Sequence, residues 1–263
     1  MKNIKKIVIK IGTSSLTHNN GKINYRHIEQ MAEVICDIKN MGYEIVLVSS
    51  GAIGVGVGKT DLPKRPKEPD KKRALAAIGQ SSLMAIYEEF FGVYNCKVAQ
   101  VLLTKSALRD KNNYDVIASS FSKMFEYGVL PIVNENDVVA SDNLKTDDLF
   151  GDNDTLSAYV AEFIKADLLI IWTDRDGLYD KDPRTNKDAK IVYVVTELNE
   201  DIYKMAGGAG SARGRGGFLT KLNAAGIVMN AGIDMIITNS ERPEDLYKIL
   251  QGEKIGTLFR APE

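Results

Sequence analysis

The sequence has few of the residues that build metal centres or disulfide frameworks. Its 263 residues include only two cysteines, Cys36 and Cys96, and two histidines, His18 and His27. The cysteines lie in separate apolar segments without the spacing of a metal or redox motif, so we expect two reduced, buried thiols. The histidines are far in sequence from each other and from Cys96, which argues against a zinc site.

An excess of charge and a long hydrophobic run are also missing. The chain has 34 basic and 35 acidic residues and a formal net charge of −1, which gives no support to a nucleic-acid partner. No apolar run approaches the ~20 residues of a membrane span. The apolar run near the N-terminus breaks at Lys10 and Gly12, which argues against a targeting signal. We therefore expect a cytoplasmic protein with no membrane or nucleic-acid partner.

What the chain does have is a regular alternation of apolar strands and amphipathic helices. Lys5–Ile11 is typical of a buried strand, Tyr25–Met41 has helical periodicity, and Glu44–Val48 is a second strand. No internal repeat or separating linker interrupts the alternation. The pattern predicts one domain over residues 1–263, of the α/β class: a three-layer αβα sandwich with a mainly parallel central sheet.

Polar or glycine-containing segments follow several of the predicted strands. In a parallel sheet the carboxyl ends of the strands meet at one edge, where ligands bind. The sequence therefore predicts a single active site at that edge. The segments are Lys10 with Gly12, Ser50 with Gly51, Asn134–Asp137, and Thr173 with Asp174.

Two clusters of short amide and carboxylate side chains stand out. Asn134–Asp137 (N-E-N-D) follows the apolar run Val129–Val133, and Gly151–Asp154 (G-D-N-D) opens a helical segment. Such residues are also common in turns and helix caps, but a cap needs only one of them. The clusters favour a site for a polar substrate with an amino group, with one carboxylate left over to orient lysines.

Candidate phosphate-binding groups lie elsewhere in the chain. Lys10 is a charged residue in an apolar strand, which is costly unless it faces a cavity or a partner. Gly207–Gly217 has six glycines in eleven residues, together with two arginines, and leads into a helix predicted over Phe218–Ala231. A flexible linker is the alternative, but such linkers seldom carry arginines. A glycine-rich loop before a helix N-terminus favours an anion site.

One apparent phosphate motif fails on spacing. The run G-V-G-V-G-K-T contains Gly58 and Lys59 but has Ile53 where a P-loop requires its first glycine. We therefore expect Lys59 to be a surface lysine.

Taken together, the motifs resemble those of the amino acid kinase family over the whole chain. The combination of N-E-N-D with G-D-N-D is similar to the branch of that family that acts on glutamate. The matching segments are Lys10–Ser14, Ser49–Ala52, Asn134–Asp137, Gly151–Asp154, Thr173–Pro183 and Gly214–Lys221.

The resemblance implies the amino acid kinase fold and a reaction. The reaction is ATP- and Mg²⁺-dependent phosphorylation of the γ-carboxylate of L-glutamate, the first step of proline biosynthesis. Its product, L-glutamyl 5-phosphate, is a labile acyl phosphate. Feedback inhibition by proline and homo-oligomers are usual in the family, and contact with the next pathway enzyme is left open.

The resemblance also gives a role to each matching residue. Lys10 and Lys221 would contact the transferred phosphoryl group, and Asp154 would orient them. The N-terminal part would mainly hold glutamate, through Ser50, Gly51, Asn134, Asp137, Asp152 and Asn153. The C-terminal part would mainly hold ATP, whose contacts would be Lys10, Gly12, Thr173, Asp174, Arg215, Gly216, Gly217 and Lys221. Mg²⁺ would be carried by ATP.

Some features depart from the family pattern. Leu149 stands where a lysine is common, which leaves one glutamate contact open. Arg215 and Phe218 stand where threonine and methionine are common, so nucleotide affinity could differ. Many relatives carry an additional RNA-binding-like domain of the PUA type, and we expect a form without it.

Other functions remain as alternatives. Acetylglutamate, aspartate, carbamate or uridylate could be the acceptor of a kinase in this family, although the N-E-N-D and G-D-N-D pair argues against them. A non-catalytic amino-acid sensor would not need both phosphate lysines. A dinucleotide oxidoreductase is disfavoured because no G-x-G-x-x-G follows a strand.

Overall fold

The computed structural model describes residues 4–18, 22–60, 62, 64–104, 107–108, 110–139, 153–207 and 217–262. The chain forms two compact units, one made of Met1–Lys10 with Leu149–Glu263 and the other of Ile11–Asp148. The single-domain organisation expected from the sequence stays a prediction.

Strands and helices alternate along the chain, as the sequence pattern predicts. The strands are β1 (Lys6–Ile11), β2 (Glu44–Ser49), β3 (Val98–Leu103), β4 (Leu130–Glu135), β5 (Leu168–Thr173), β6 (Val194–Val195), β7 (Asp234–Asn239) and β8 (Thr257–Phe259). The helices are α1 (Thr13–Leu16), α2 (Tyr25–Asn40), α3 (Ala52–Lys59), α4 (Pro69–Val93), α5 (Lys111–Glu126), α6 (Asn153–Phe163), α7 (Glu200–Gly207), α8 (Leu219–Asn230) and α9 (Asp245–Leu250).

In the unit of Met1–Lys10 with Leu149–Glu263, the strand order is β1-β5-β7-β8-β6. Strands β5 and β7 pair in parallel, as do β6 and β8, whereas β7 and β8 are antiparallel. The strand interiors are fully buried, as Ile9 and Ile170 illustrate. Helices α6 and α8 pack against each other, which brings their N-terminal turns into the same unit as the end of β1.

In the unit of Ile11–Asp148, the strand order is β3-β4-β2 and both pairings are parallel. Helix α2 buries the stripe that its periodicity predicts, including Ile28, Met31 and Ile35. It ends before Gly42, whose φ of 98° is the left-handed conformation that glycine adopts readily. Cys36 and Cys96 are free and buried, which confirms the prediction of two reduced thiols.

Some element boundaries differ from those expected. Strand β4 continues through Asn134 and Glu135, so half of the N-E-N-D cluster lies in the strand rather than after it. Helix α4 begins at Pro69, and proline is tolerated there because the first helical N–H has no partner within the helix.

Helix α3 contains three glycines, which considered alone favour a turn. They lie inside a helix that packs closely on α4. A Cβ on Gly56 would lie 2.0 Å from the Leu75 carbonyl oxygen, and one on Gly79 would lie 1.8 Å from the Ala52 carbonyl oxygen. Backbone-to-backbone packing of this kind requires glycine and offsets its low helix propensity.

Replacing Gly79 by alanine should therefore destabilise the protein by about 1–3 kcal/mol, because the helices must separate to admit the methyl group. Gly92, on the same helix, is the matched control, since a Cβ there meets nothing within 4 Å. Gly92→Ala should stabilise the protein by up to about 1 kcal/mol through helix propensity. Urea unfolding measures both changes, and equal effects at the two positions would contradict the packing argument.

Candidate active site

A buried cluster of one carboxylate and two ammonium groups lies in the unit of Met1–Lys10 with Leu149–Glu263. Asp154 Oδ1 is 2.7 Å from Lys10 Nζ, and Asp154 Oδ2 is 3.0 Å from Lys221 Nζ. Lys10 is 7% exposed, Asp154 2% and Lys221 9%. The structure thus brings together the three residues that the sequence analysis assigned to phosphoryl transfer, and it gives each lysine its own carboxylate oxygen.

Each member of the cluster is delivered by a different element. Lys10 is near the carboxyl end of β1, Asp154 is in the first turn of α6, and Lys221 is in the first turn of α8. A carboxylate is favoured near a helix N-terminus by the helix dipole. Buried charges persist only when paired, and removing one partner from such a pair typically costs ~3–5 kcal/mol.

The electrostatics favour an ionised Asp154. Burial acts to raise the pKa of this carboxyl, but the positive charges of Lys10 and Lys221 and the hydrogen bonds to the carboxylate outweigh it. The net effect holds the pKa of Asp154 below its usual value. Asp154 is therefore a fixed negative charge between two cations, and not a proton acceptor at neutral pH.

Thr220 belongs to the same cluster, and its contact with Asp154 was not predicted from the sequence. Its hydroxyl donates to Asp154 Oδ2 at 2.8 Å, while Lys221 Nζ also donates to the Gly217 carbonyl oxygen at 3.1 Å. The resemblance assigned Gly217 to the nucleotide, and in the structure its carbonyl oxygen contacts Lys221. The threonine that precedes the lysine in the G-x-G-G-x-x-T-K motif was the available signal.

The candidate glutamate residues described by the structure lie at strand ends in the unit of Ile11–Asp148, with the exception of Asn153, the first residue of α6. Ser50 follows β2, and Gly51 is the N-cap of α3 with φ of 101°. Only glycine adopts that left-handed conformation without strain. Asn134 is 3% exposed near the end of β4.

A cavity of about 430 Å³ lies in the same unit, against the end of β4. Its lining includes Gln80 and Glu88 from α4 together with Glu135, Asn136 and Asp137. Burial raises the pKa of Asp137 above its usual value, with Arg65 acting weakly in the opposite direction. The cavity is large enough for a small polar molecule and has acidic groups that could receive an amine.

The candidate nucleotide residues Thr173 and Asp174 lie at the carboxyl end of β5, where the Thr173 hydroxyl donates to Asp174 Oδ1 at 3.0 Å. The loop that continues from them is tied to the loop after β7. Asp176 Oδ1 accepts from Asn239 Nδ2 at 3.1 Å and from Arg242 Nη2 at 2.8 Å. These hydrogen bonds hold the pKa of Asp176 below its usual value, the Asn239 bond contributing most.

The other residues singled out in the sequence either have a clear position in the structure or lie outside the described residues. Gly12 is the N-cap of α1. Lys59 is exposed and donates to Ser82 Oγ at 2.7 Å, as expected for a surface lysine. Asp152, Arg215, Gly216 and the departure at Leu149 lie outside the described residues.

The described part of the chain has no candidate metal cluster and no candidate membrane span. No group of three or more His, Cys, Asp or Glu side chains there is arranged to hold a metal ion. No helix among these residues has the length and apolar character needed to span a membrane.

An α/β protein in which one buried carboxylate holds two lysines has charged groups suited to an anion such as phosphate. Comparison with known proteins identifies its family. The model of the amino acid kinase family matches residues 5–239. The chain belongs to the amino acid kinase family.

Individual relatives agree with this assignment. The chain is 52% identical to "Glutamate 5-kinase" of Clostridium perfringens, over 99% of this chain and 97% of that protein. It is 50% identical to "Glutamate 5-kinase" of Caldanaerobacter subterraneus over 97% of this chain and 67% of that protein. A third, from Listeria monocytogenes, is 48% identical over 98% of this chain and 94% of that protein.

Solved structures resemble the fold at low sequence identity. The isopentenyl phosphate kinase of T. acidophilum gives a TM-score of 0.65 at 19% identity, covering 97% of this chain and 100% of that one. The UMP kinase of Bacillus anthracis gives 0.66 at 16% identity, covering 100% of this chain and 98% of that one. The three-layer α/β class and the amino acid kinase fold expected from the sequence are confirmed.

Proposed function

We propose that this protein is a kinase that transfers the γ-phosphoryl group of ATP to the γ-carboxylate of L-glutamate, giving L-glutamyl 5-phosphate in the first step of proline biosynthesis. The observation that carries the phosphoryl-transfer chemistry is the buried cluster of Lys10, Asp154 and Lys221. The choice of glutamate is supported by relatives of that name at about 50% identity over nearly the whole chain.

The chemistry needs positioned charge more than acid–base catalysis. The glutamate γ-carboxylate is already a nucleophile; its oxygen forms a bond to the γ-phosphorus as the bond to the ADP oxygen breaks. Negative charge shifts toward the leaving oxygen during this exchange, and Lys10 and Lys221 stabilise it. Asp154 holds the two ammonium groups in place and limits their mutual repulsion. No step requires a histidine.

Magnesium fits this proposal as an ion that enters with the nucleotide. The described residues provide no carboxylate cluster of their own for it. When bound to the phosphate oxygens, Mg²⁺ would supply additional charge neutralisation. We place the nucleotide along Gly12, Thr173, Asp174 and the segment Arg215–Lys221.

The glutamate contacts are also proposals. The proposed glutamate ligands are Ser50, Gly51, Asn134 and Asp137, to which the family resemblance adds Asp152 and Asn153. The raised pKa of the half-buried Asp137 is typical of a group in a functional cleft. Asp137 would receive the α-amino group of glutamate when ionised.

Further properties belong to the proposal through the family resemblance. They are a cytoplasmic location, feedback inhibition by proline, a homo-oligomeric assembly, and contact with the enzyme that consumes the labile acyl phosphate. The lability of that product is the physical reason for the last of them.

The reaction is tested by trapping its product. Purified protein with ATP, Mg²⁺, hydroxylamine and L-glutamate should form γ-glutamyl hydroxamate and ADP in equal amounts. Parallel reactions with N-acetylglutamate and with aspartate should give little product. A strong signal with either of these and none with glutamate would reject the substrate, and ATP consumption with no acceptor requirement would reject the reaction.

A further inference from the structure

Helix α4 makes a direct contact with one of the proposed glutamate ligands. Asn134 Nδ2 donates to Gln80 Oε1 at 2.7 Å, and Asn134 Oδ1 accepts from the Glu135 backbone N–H at 2.9 Å. Gln80 also lines the cavity at the end of β4. Gln80 is not part of any motif discussed above.

The same helix supports the other strand end that carries proposed glutamate ligands. Gly79 packs against the Ala52 carbonyl, one residue after Gly51. About two helical turns beyond Gly79, Tyr87 shares a buried hydrogen bond of 2.7 Å with Ser49 Oγ. The Ser49 hydroxyl also donates to the Ser50 carbonyl oxygen at 2.9 Å. Helix α4 therefore contacts the residues around both Ser50 and Asn134.

We infer that Gln80 is a positioning residue for the glutamate site, acting through the side-chain amide of Asn134. This inference rests on the proposed function, because it requires Asn134 to contact the substrate. Gln80 itself need not touch glutamate.

The side-chain amide of Asn134 has two chemically different ends, an oxygen that accepts hydrogen bonds and a nitrogen that donates them. Of the two ends of the Asn134 amide, only Oδ1 can accept the hydrogen bond from the Glu135 N–H. Only Nδ2 can donate to Gln80 Oε1. The two hydrogen bonds therefore agree on one orientation of the amide. Asn134 is 3% exposed, so water cannot readily replace a lost partner, and removal of the Gln80 acceptor weakens the preference for this orientation.

The decisive variant is Gln80→Met, which keeps the length of the side chain and removes the acceptor. It should raise the glutamate KM by roughly 3- to 10-fold, the range expected for one neutral hydrogen bond. The ATP KM and kcat should change by less than about twofold, because ground-state contacts to glutamate are weakened and the lysine cluster is not. Gln80→Glu keeps an acceptor oxygen and should raise the glutamate KM less.

Ser82→Ala is the matched control. Ser82 is on the same helix and also accepts a side-chain hydrogen bond, but its partner is Lys59 and not a proposed ligand. All kinetic constants of this variant should stay at wild-type values. Thermal melting of each variant, with and without glutamate, supplies a readout that does not depend on turnover: glutamate should protect Gln80→Met less than wild type.

A double variant tests whether Gln80 acts through Asn134. If it does, Gln80→Met with Asn134→Ala should have the same glutamate KM as Asn134→Ala alone. Multiplicative effects would overturn the inference, as would a Gln80→Met enzyme with an unchanged glutamate KM or with a loss confined to kcat. These outcomes leave the proposed function intact, whereas a wild-type enzyme that does not phosphorylate glutamate overturns both.

Discussion

Replacing Asp154 by asparagine should lower kcat by about 10²- to 10³-fold, the size seen when one preorganised electrostatic contact is lost. The side chain keeps its shape but loses the charge that lies between Lys10 and Lys221. The lysines then repel each other and leave the positions that match the transferring phosphoryl group. The KM values for ATP and glutamate should change little, because Asp154 itself is not among the proposed contacts to either substrate.

Two measurements separate this role of Asp154 from a purely structural one. Asparagine caps a helix about as well as aspartate, so a capping role alone predicts near-normal kcat. Thr220→Val removes a hydrogen bond from the same carboxylate without changing its charge, and should lower kcat by less than about tenfold. The Asp154→Asn variant should be assayed below its melting temperature, because the buried ammonium groups of Lys10 and Lys221 lose their counter-ion and the protein is destabilised. Normal kcat in folded Asp154→Asn would reject the orienting role.

Replacing either lysine by methionine should have a comparably large effect. Lys10→Met and Lys221→Met each keep most of the aliphatic stem and remove one positive charge that stabilises the transition state. We expect kcat to fall by about 10²- to 10³-fold for each, with smaller changes in the glutamate KM. Steady-state kinetics with saturating Mg²⁺–ATP measures the change.

Lys6→Met is the control for this pair, because Lys6 is on the same strand as Lys10 and donates to the Ile164 carbonyl oxygen at 3.0 Å. It should retain wild-type kcat. Retention of kcat in Lys10→Met or Lys221→Met would remove that lysine from phosphoryl transfer. Loss of kcat in Lys6→Met as well would show that the strand, and not the charge, is responsible.

One residue of this site could be predicted from its own segment, because a lysine is costly to bury without a partner; Asp154 and Lys221 were implied by the family resemblance. Lys10 interrupts an apolar strand, and such a charge implies a partner; the structure supplies Asp154. The alternation of strand and helix patterns likewise predicted a mainly parallel sheet. Both predictions rest on strong, local signals: burial of charge and hydrophobic periodicity.

Other structural features could not be predicted from the sequence of a single segment, because they depend on contacts between segments that are far apart in the chain. The glycines of α3 favour a turn when considered alone, and only the close packing of Gly56 and Gly79 explains their presence in a helix pair. Gln80 has no distinguishing signal in the sequence, and only its hydrogen bond with the Asn134 amide in the structure sets it apart from other polar residues of the helix. Tertiary packing decided both cases.

The contacts of α4 have a consequence for attempts to redesign the acceptor specificity of this enzyme. Transplanting residues 134–139 from a related kinase would install a new strand end beside an unaltered Gln80, and transplanting the Ser50–Ala52 turn would place it on an unaltered Gly79. In either graft, the new segment would contact α4 residues that are not matched to it. The strand ends and the middle of α4 thus form one exchangeable module, and chimaeras should be cut outside all three segments.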